Sequence, residues 1–264
     1  MNLEVLVSTM NIEDKKQYEK LINSMNIKGN SVVINQCPKS KIKIEDIVKG
    51  NNKLFSYSEK GLSKSRNAAI NKCSSSIALL ADDDIHYLDN YKSIIETAYK
   101  KYNDADVIAF YVSSDNPNNV KPRLKEGRVS ILNTFKIQSV QISFKLDSIK
   151  NNNIVFDERF GAGSDLYMGE ENIFLSDCIK SKLKIYSYPV EIARLINRES
   201  TWFKGYDEEY FRIKGACFYR ISKKLWLFLC LQFIIRKRKE YADKISSYKA
   251  LKKMMEGRKI LNIK

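Results

Sequence analysis

Short, mostly apolar runs alternate with segments whose apolar residues recur at helical spacing, and this alternation constrains the chain more than any other feature. LEVLVS at 3–8, SVVIN at 31–35, SIALLA at 76–81 and DVIAFYV at 106–112 have the length of single strands and the continuous apolarity of strands covered on both faces. KLFSYS at 53–58 reads as a further strand. Between these runs, Tyr18, Leu21, Ile22 and Met25 mark one helical stripe, and Leu88, Tyr91, Ile94, Ile95, Ala98, Tyr99 and Tyr102 mark another. GLSKSRNAAINKC, 61–73, opens a helix behind Gly61 with Ser63 as its candidate cap. GEENIFLSDCIKSKL, 169–183, is an amphipathic helix, and KIYSYP, 184–189, a closing strand. The pattern predicts an α/β sandwich built on a mainly parallel sheet.

Residues 113–165 lack this periodicity and are rich in Asn, Asp and Gly, the composition of loops that contact a substrate. From Tyr206 onward the pattern turns helical and basic. Residues 201–264 carry 17 Lys+Arg against 6 Asp+Glu, so +11 of the chain's net +15 sits there. The chain therefore divides into an α/β domain over 1–205 and a basic helical extension over 206–264. A charge so concentrated predicts an anionic partner, lipid or nucleic acid. The basic run has no interleaved aromatics and no nucleic-acid-binding motif occurs, which argues against nucleic acid.

Within the extension, RISKKLWLFLCLQFIIRKRKEY (220–241) is apolar on nearly every face through its centre and is bracketed by Lys223, Lys224 and the run Arg236 to Lys239. It reads either as a helix docked on the α/β domain or as one lying in an anionic membrane surface. Its apolar run, 225–235, is too short to cross about 30 Å of hydrocarbon. MNLEVLVSTMN lacks a basic start and a long apolar stretch, so no signal peptide is expected. Cys37, Cys73, Cys178, Cys217 and Cys230 are scattered without metal-ligand spacing and read as reduced packing thiols of a cytoplasmic protein.

The fourth apolar run ends in three consecutive acids, SIALLADDDIHY, 76–87. Adjacent carboxylates repel one another, so Asp82, Asp83 and Asp84 call for a positive neighbour. They are either exposed acids capping a helix after Ile85 or a ligand site, and open α/β sheets bind ligands beyond the carboxyl ends of their strands. No glycine or distal glutamate follows at calcium-loop spacing, and His86 and Tyr87 stand where a polyprenyl-synthase motif needs a further aspartate. What remains is a short hard-oxygen site suited to Mg²⁺ or Mn²⁺ carrying a diphosphate.

Two blocks together resemble family 2 of the glycosyltransferases, inverting enzymes with the Rossmann-like GT-A fold. In EKGLSKSRNAAINKCSSSIALLADDDIHY (59–87), Gly61, Ser63, Arg66 and Asn67 match the segment that leads a helix into the family's Asp–x–Asp strand, and Asp82 to Asp84 match that motif. In FDERFGAGSDLYMGEENIFLSDCIKSKLKIYSYP (156–189), Gly169, Glu170 and Glu171 stand for the family's acceptor-side Gly–Glu–Asp motif. The resemblance covers roughly residues 3–200. It implies a metal-dependent transfer of a sugar from a nucleotide diphosphate, a UDP-sugar first, to a hydroxyl of a glycan or polyprenyl-diphosphate-linked acceptor in surface polysaccharide synthesis. The place implied is the inner face of the cell membrane, with peripheral contact through 220–241.

The same resemblance distributes roles. Asp82, Asp83 and Asp84 receive Mn²⁺ or Mg²⁺, with Asp83 nearest the motif's second acid and Ala81 where many relatives carry the first. Glu171 is the general base, and Glu170 orients the acceptor or holds the loop. On a helix starting near Gly169, Glu171 shares a face with Leu175 and Cys178 toward the sheet, and Glu170 is turned about 100° away. Ser8 and Thr9 seat the nucleotide, with Gln36 where an acid is usual. Gly61, Ser63, Asn67 and Asp82 line the nucleotide-sugar site, and Arg66 approaches the diphosphate or uracil, or pairs with Glu59 or an aspartate. His86 reads as a surface or loop residue, and either Asn197 or a water replaces the relatives' late histidine ligand or the metal is held more weakly. Two rivals weaken on the same residues. A sugar nucleotidylyltransferase needs a glycine-rich loop after the first strand, and VSTMNIED has no glycine. A non-catalytic basic protein that binds membrane or nucleic acid has no use for Asp82 to Asp84 together with Glu171.

Overall fold

In the computed structural model, which describes residues 1–42, 44–48, 50–114, 121–196 and 205–261, the apolar runs form the centre of one mixed sheet. Strands β1 (Leu3–Met10), β2 (Asn30–Gln36), β3 (Asn52–Tyr57) and β4 (Ile77–Asp82) lie in the order β3-β2-β1-β4, all parallel. The sheet continues through β8 (Ile142–Lys145), β6 (Val107–Ser113), β9 (Ile185–Leu195) and β5 (Ile85–Tyr87), with the short β7 (Gly127–Arg128) also on β9. The sheet is mainly parallel, as expected, with short antiparallel ladders added to it. β8 runs antiparallel to both β4 and β6, and β5 and β7 run antiparallel to β9, whereas β6 and β9 are parallel. The β6–β9 register slips between Ala109 and Tyr111, opposite Pro189, a residue with no N–H to give the ladder.

Helices α1 (Lys15–Ser24) and α3 (Tyr91–Lys101) supply the core of one face; α2 (Leu62–Lys72), α4 (Leu146–Asn151) and α5 (Glu170–Lys180) supply the other. Strand alternation decides which side chains meet them. Val5, Val7, Leu79 and Ala81 pack on the first face; Leu6, Ala78 and Leu80 pack on the second. By the same alternation, Ser8 and Asp82 fall on the side of α2 and α5. Asp14 caps α1 by accepting from the Gln17 N–H at 2.9 Å.

The basic extension folds as α6 (Glu208–Ile221), α7 (Trp226–Tyr241) and α8 (Ser247–Ile260) around a third core, which takes in Phe160, Leu166, Met168 and Ile173 from the chain before it. Helices α6 and α8 cross at two glycines. A Cβ on Gly215 would lie 2.0 Å from the Met254 carbonyl oxygen, and one on Gly257 would lie 2.0 Å from that of Arg212. Only hydrogen fits there. No helix among the described residues is long and apolar enough to cross a membrane.

Candidate functional site

Because β3 leads back across β2 and β1 to β4, the strand order reverses at β1, and it is beyond the carboxyl ends of the strands at such a point that open α/β sheets bind their ligands. Ser8 and Asp82 are register partners there. The Ser65 hydroxyl donates to Ser8 Oγ at 2.9 Å, and the Thr9 hydroxyl donates to Asp83 Oδ2 at 2.8 Å. The acidic turn is therefore stitched to the end of β1, where the nucleotide-seating residues were expected.

Arg66 occupies the middle of the site. It is only 2% exposed, and its guanidinium donates to Glu170 Oε1 at 2.8 Å, to Asp82 Oδ1 at 3.0 Å and to the Ser139 hydroxyl at 2.8 Å, with the Phe156 ring 5.4 Å away. The two carboxylates hold the guanidinium pKa above its ordinary value against the cost of burial. So the positive charge that the aspartates called for is Arg66, and it ties the end of β4 to the start of α5.

The rest of the 61–67 motif fastens the 156–170 segment onto α2. The Leu62 N–H donates to the Ala162 carbonyl at 2.8 Å, and the Ser63 hydroxyl donates to the Phe160 carbonyl at 2.6 Å. Asn67 grips the backbone of Phe156 from both sides, accepting its N–H at 2.8 Å and donating to its carbonyl at 3.0 Å. Ser63 is consequently not the helix cap. The N-cap position is Gly61, which makes no side-chain cap bond, and the Gln36 amide donates to the Gly61 carbonyl at 3.1 Å. Two sequence blocks that look like separate motifs are two halves of one interface.

Glu170, expected to turn away from the sheet, is the more buried of the two glutamates. Glu170 is the buried one, held by Arg66, and Glu171 is half-buried. Gly169 makes this possible. Its φ of +93° is left-handed, and a Cβ there would lie 2.5 Å from Cys217 Sγ. Burial, then the neighbouring Glu170, push the Glu171 carboxyl up to about 8, with Lys214 and Arg66 pulling the other way. Lys214, on α6, was not foreseen from sequence. Its Nζ sits 5.7 Å from the Phe218 ring and 5.8 Å from that of Phe233. Burial opposes its charge, yet Tyr210, Cys217 and Glu171 together hold its pKa above the usual lysine value. The extension thus contributes a cation to the site.

His86 is exposed on β5, with Nδ1 2.7 Å from the Ser24 carbonyl, so it is a surface residue of a strand. Asn197 lies outside the described residues. The five cysteines are free and buried. As for a cation, no group of three or more His, Cys, Asp or Glu side chains stands close enough to hold one among the described residues. Asp82 is bound to Arg66 and Asp83 accepts from the Thr9 hydroxyl, so both carboxylates already have partners within the protein.

No family model matches the sequence, and no curated protein matches it. Solved structures do match. S. aureus TarS 1–349 aligns over 97% of this chain and 81% of its own, at 15% identity and a TM-score of 0.65. The same protein in complex with UDP aligns over the same shares at 16% identity and a TM-score of 0.62. In complex with UDP-GlcNAc it aligns over 90% of this chain and 73% of its own, at 15% identity and a TM-score of 0.61. The fold is of the GT-A type.

Proposed function

We propose that this chain is an inverting glycosyltransferase that moves a sugar from a UDP-sugar to an acceptor hydroxyl. The observation that carries the reading is the Arg66 cluster, which joins Asp82 at the end of β4 to Glu170, immediately before Glu171. Ser8, Thr9 and the acidic turn line the donor side, and Glu171 opens the acceptor side. Glu171 takes the proton from the acceptor hydroxyl. The freed oxygen attacks the anomeric carbon from the face opposite the diphosphate, and the breaking carbon–oxygen bond leaves its electron pair on UDP. A carboxyl whose pKa lies about 8 is a strong enough base for an alcohol losing its proton in the transition state. Asp83 and Asp84 would receive the Mg²⁺ or Mn²⁺ ion, which neutralises the charge gathering on the leaving diphosphate. The acceptor class that suits this chemistry is a glycan or a polyprenyl-diphosphate-linked sugar.

A panel of UDP-, GDP- and dTDP-sugars, incubated with the full chain and Mn²⁺, tests the reading by release of nucleoside diphosphate. Release from one donor, absent in Glu171→Gln, supports it; no release and no binding of any donor would overturn it.

A further inference from the structure

Helix α7 has two faces that its sequence does not separate. Trp226, Leu229, Cys230, Phe233 and Ile234 are buried in the core of the extension, and the Trp226 indole N–H donates to the Gly215 carbonyl at 3.1 Å. The opposite face carries Leu227, Phe228, Leu231 and Ile235, a stripe at helical spacing, with Phe228 58% and Ile235 76% exposed. Isolated exposed apolar residues are ordinary, but four in one row on one helix are not. Lys223 and Lys224 stand exposed before the stripe, and Arg236, Arg238 and Lys239 stand exposed after it. From Leu227 to Ile235 the apolar row is about 12 Å long, eight rises of about 1.5 Å each, with positive charge beyond both ends.

We infer that this ridge lies flat on an anionic lipid surface, with Phe228, Leu231 and Ile235 among the acyl chains and the collar among the headgroups. The charge pattern selects that occupant. A second copy of the chain would set each collar against an identical one in a symmetric contact, cation facing cation. A nucleic acid would match the collar but leave the apolar row in water. A bilayer of anionic lipid accepts both at once. It is the buried face of α7 that meets α6, where the Phe233 ring lies 5.8 Å from Lys214 Nζ. The membrane contact stands independently of the reaction. Only the lipid-linked acceptor that it would bring within reach rests on the glycosyltransferase reading.

Vesicle sedimentation of the full chain tests this without any turnover. Vesicles of phosphatidylcholine with about 30% phosphatidylglycerol should carry the protein down at low ionic strength, and pure phosphatidylcholine should carry far less. Raising salt to about 1 M, where the Debye length falls to about 3 Å, should weaken binding by at least tenfold. The Phe228→Ser/Ile235→Ser double variant alters exposed side chains only, so it should keep the native melting temperature and lose binding by at least tenfold. Failure of the native chain to bind anionic vesicles at low salt overturns the inference. So does undiminished binding by the folded double variant, which would assign the attachment to general charge. A native dimer in light scattering that the double variant abolishes also overturns it, by giving the ridge to a second copy. Donor hydrolysis measured without lipid reports separately on the chemistry.

Discussion

Replacing Arg66 by methionine removes the one charge that faces both motifs while keeping most of the volume. Arg66 is 2% exposed, the Glu170 side chain 9% and the Asp82 side chain 34%. Asp82 is wet enough to turn toward water, so little of the cost falls on it. Glu170 is not, and breaking a buried pair by deleting one partner costs about 3–5 kcal/mol. For a chain of this size each kcal/mol shifts the melting temperature by about 2–4 °C, so the variant should melt roughly 10 °C lower. Urea unfolding should show the loss in the midpoint with the slope unchanged. The decisive arm is the Arg66→Met/Glu170→Met double variant. Removing the stranded carboxylate should recover at least half of the loss, since apolar replacement of a buried pair is close to neutral. A single variant that loses less than about 1 kcal/mol, or a double variant no better than the single one, would refute the claim that Arg66 neutralises a buried carboxylate.

Four further outcomes follow from the site and the extension. Glu171→Gln should lower turnover by about 10²- to 10⁴-fold while UDP binding persists, and in the native chain kcat/KM should rise with pH and level off above about 8. Burial raises the folded-state pKa of Glu171 from 4.5 to about 8, so it contributes stability that is complete below about pH 4.5 and lost as the pH climbs through 8; Glu171→Gln should therefore melt higher than the native chain at pH 9. Lys214→Met removes a charge that pulls the Glu171 pKa down, and the rising limb of the rate profile should move to higher pH. Gly215→Ala must push α6 off α8, because its Cβ would meet the Met254 carbonyl at 2.0 Å, and denaturation should show a loss of about 1–3 kcal/mol or more.

The strands that position the site were legible because burial on both faces leaves an uninterrupted apolar run. β1, β2, β4 and β6 are of that kind, and the residues at their ends, Ser8, Thr9 and Asp82, follow directly. β8 was not legible. Its four residues, ISFK, owe their conformation to the ladders of β4 and β6 on either side. The glutamate pair went wrong for a different reason. A helical wheel needs one wet face, and in α5 Asn172 through Ser176 are buried without a break, so the pattern carries no phase. What turns Glu170 inward is Arg66, on another helix and 104 residues away. Ser63 and Gln36 were read by position in a motif, yet their hydrogen bonds serve the loop at 160–163 and the Gly61 turn. Of the two readings of the 220–241 segment, the docked helix holds for one face of α7, and the other face is exposed.

Calorimetric titration of the full chain with UDP in the presence of Mn²⁺, native against Asp83→Asn, probes the proposed donor site at the ends of β1 and β4 most directly. The account predicts binding by the native chain and at least tenfold weaker binding by a variant that still melts as the native chain does. A native chain that ignores UDP, or a variant that binds it equally well, contradicts it.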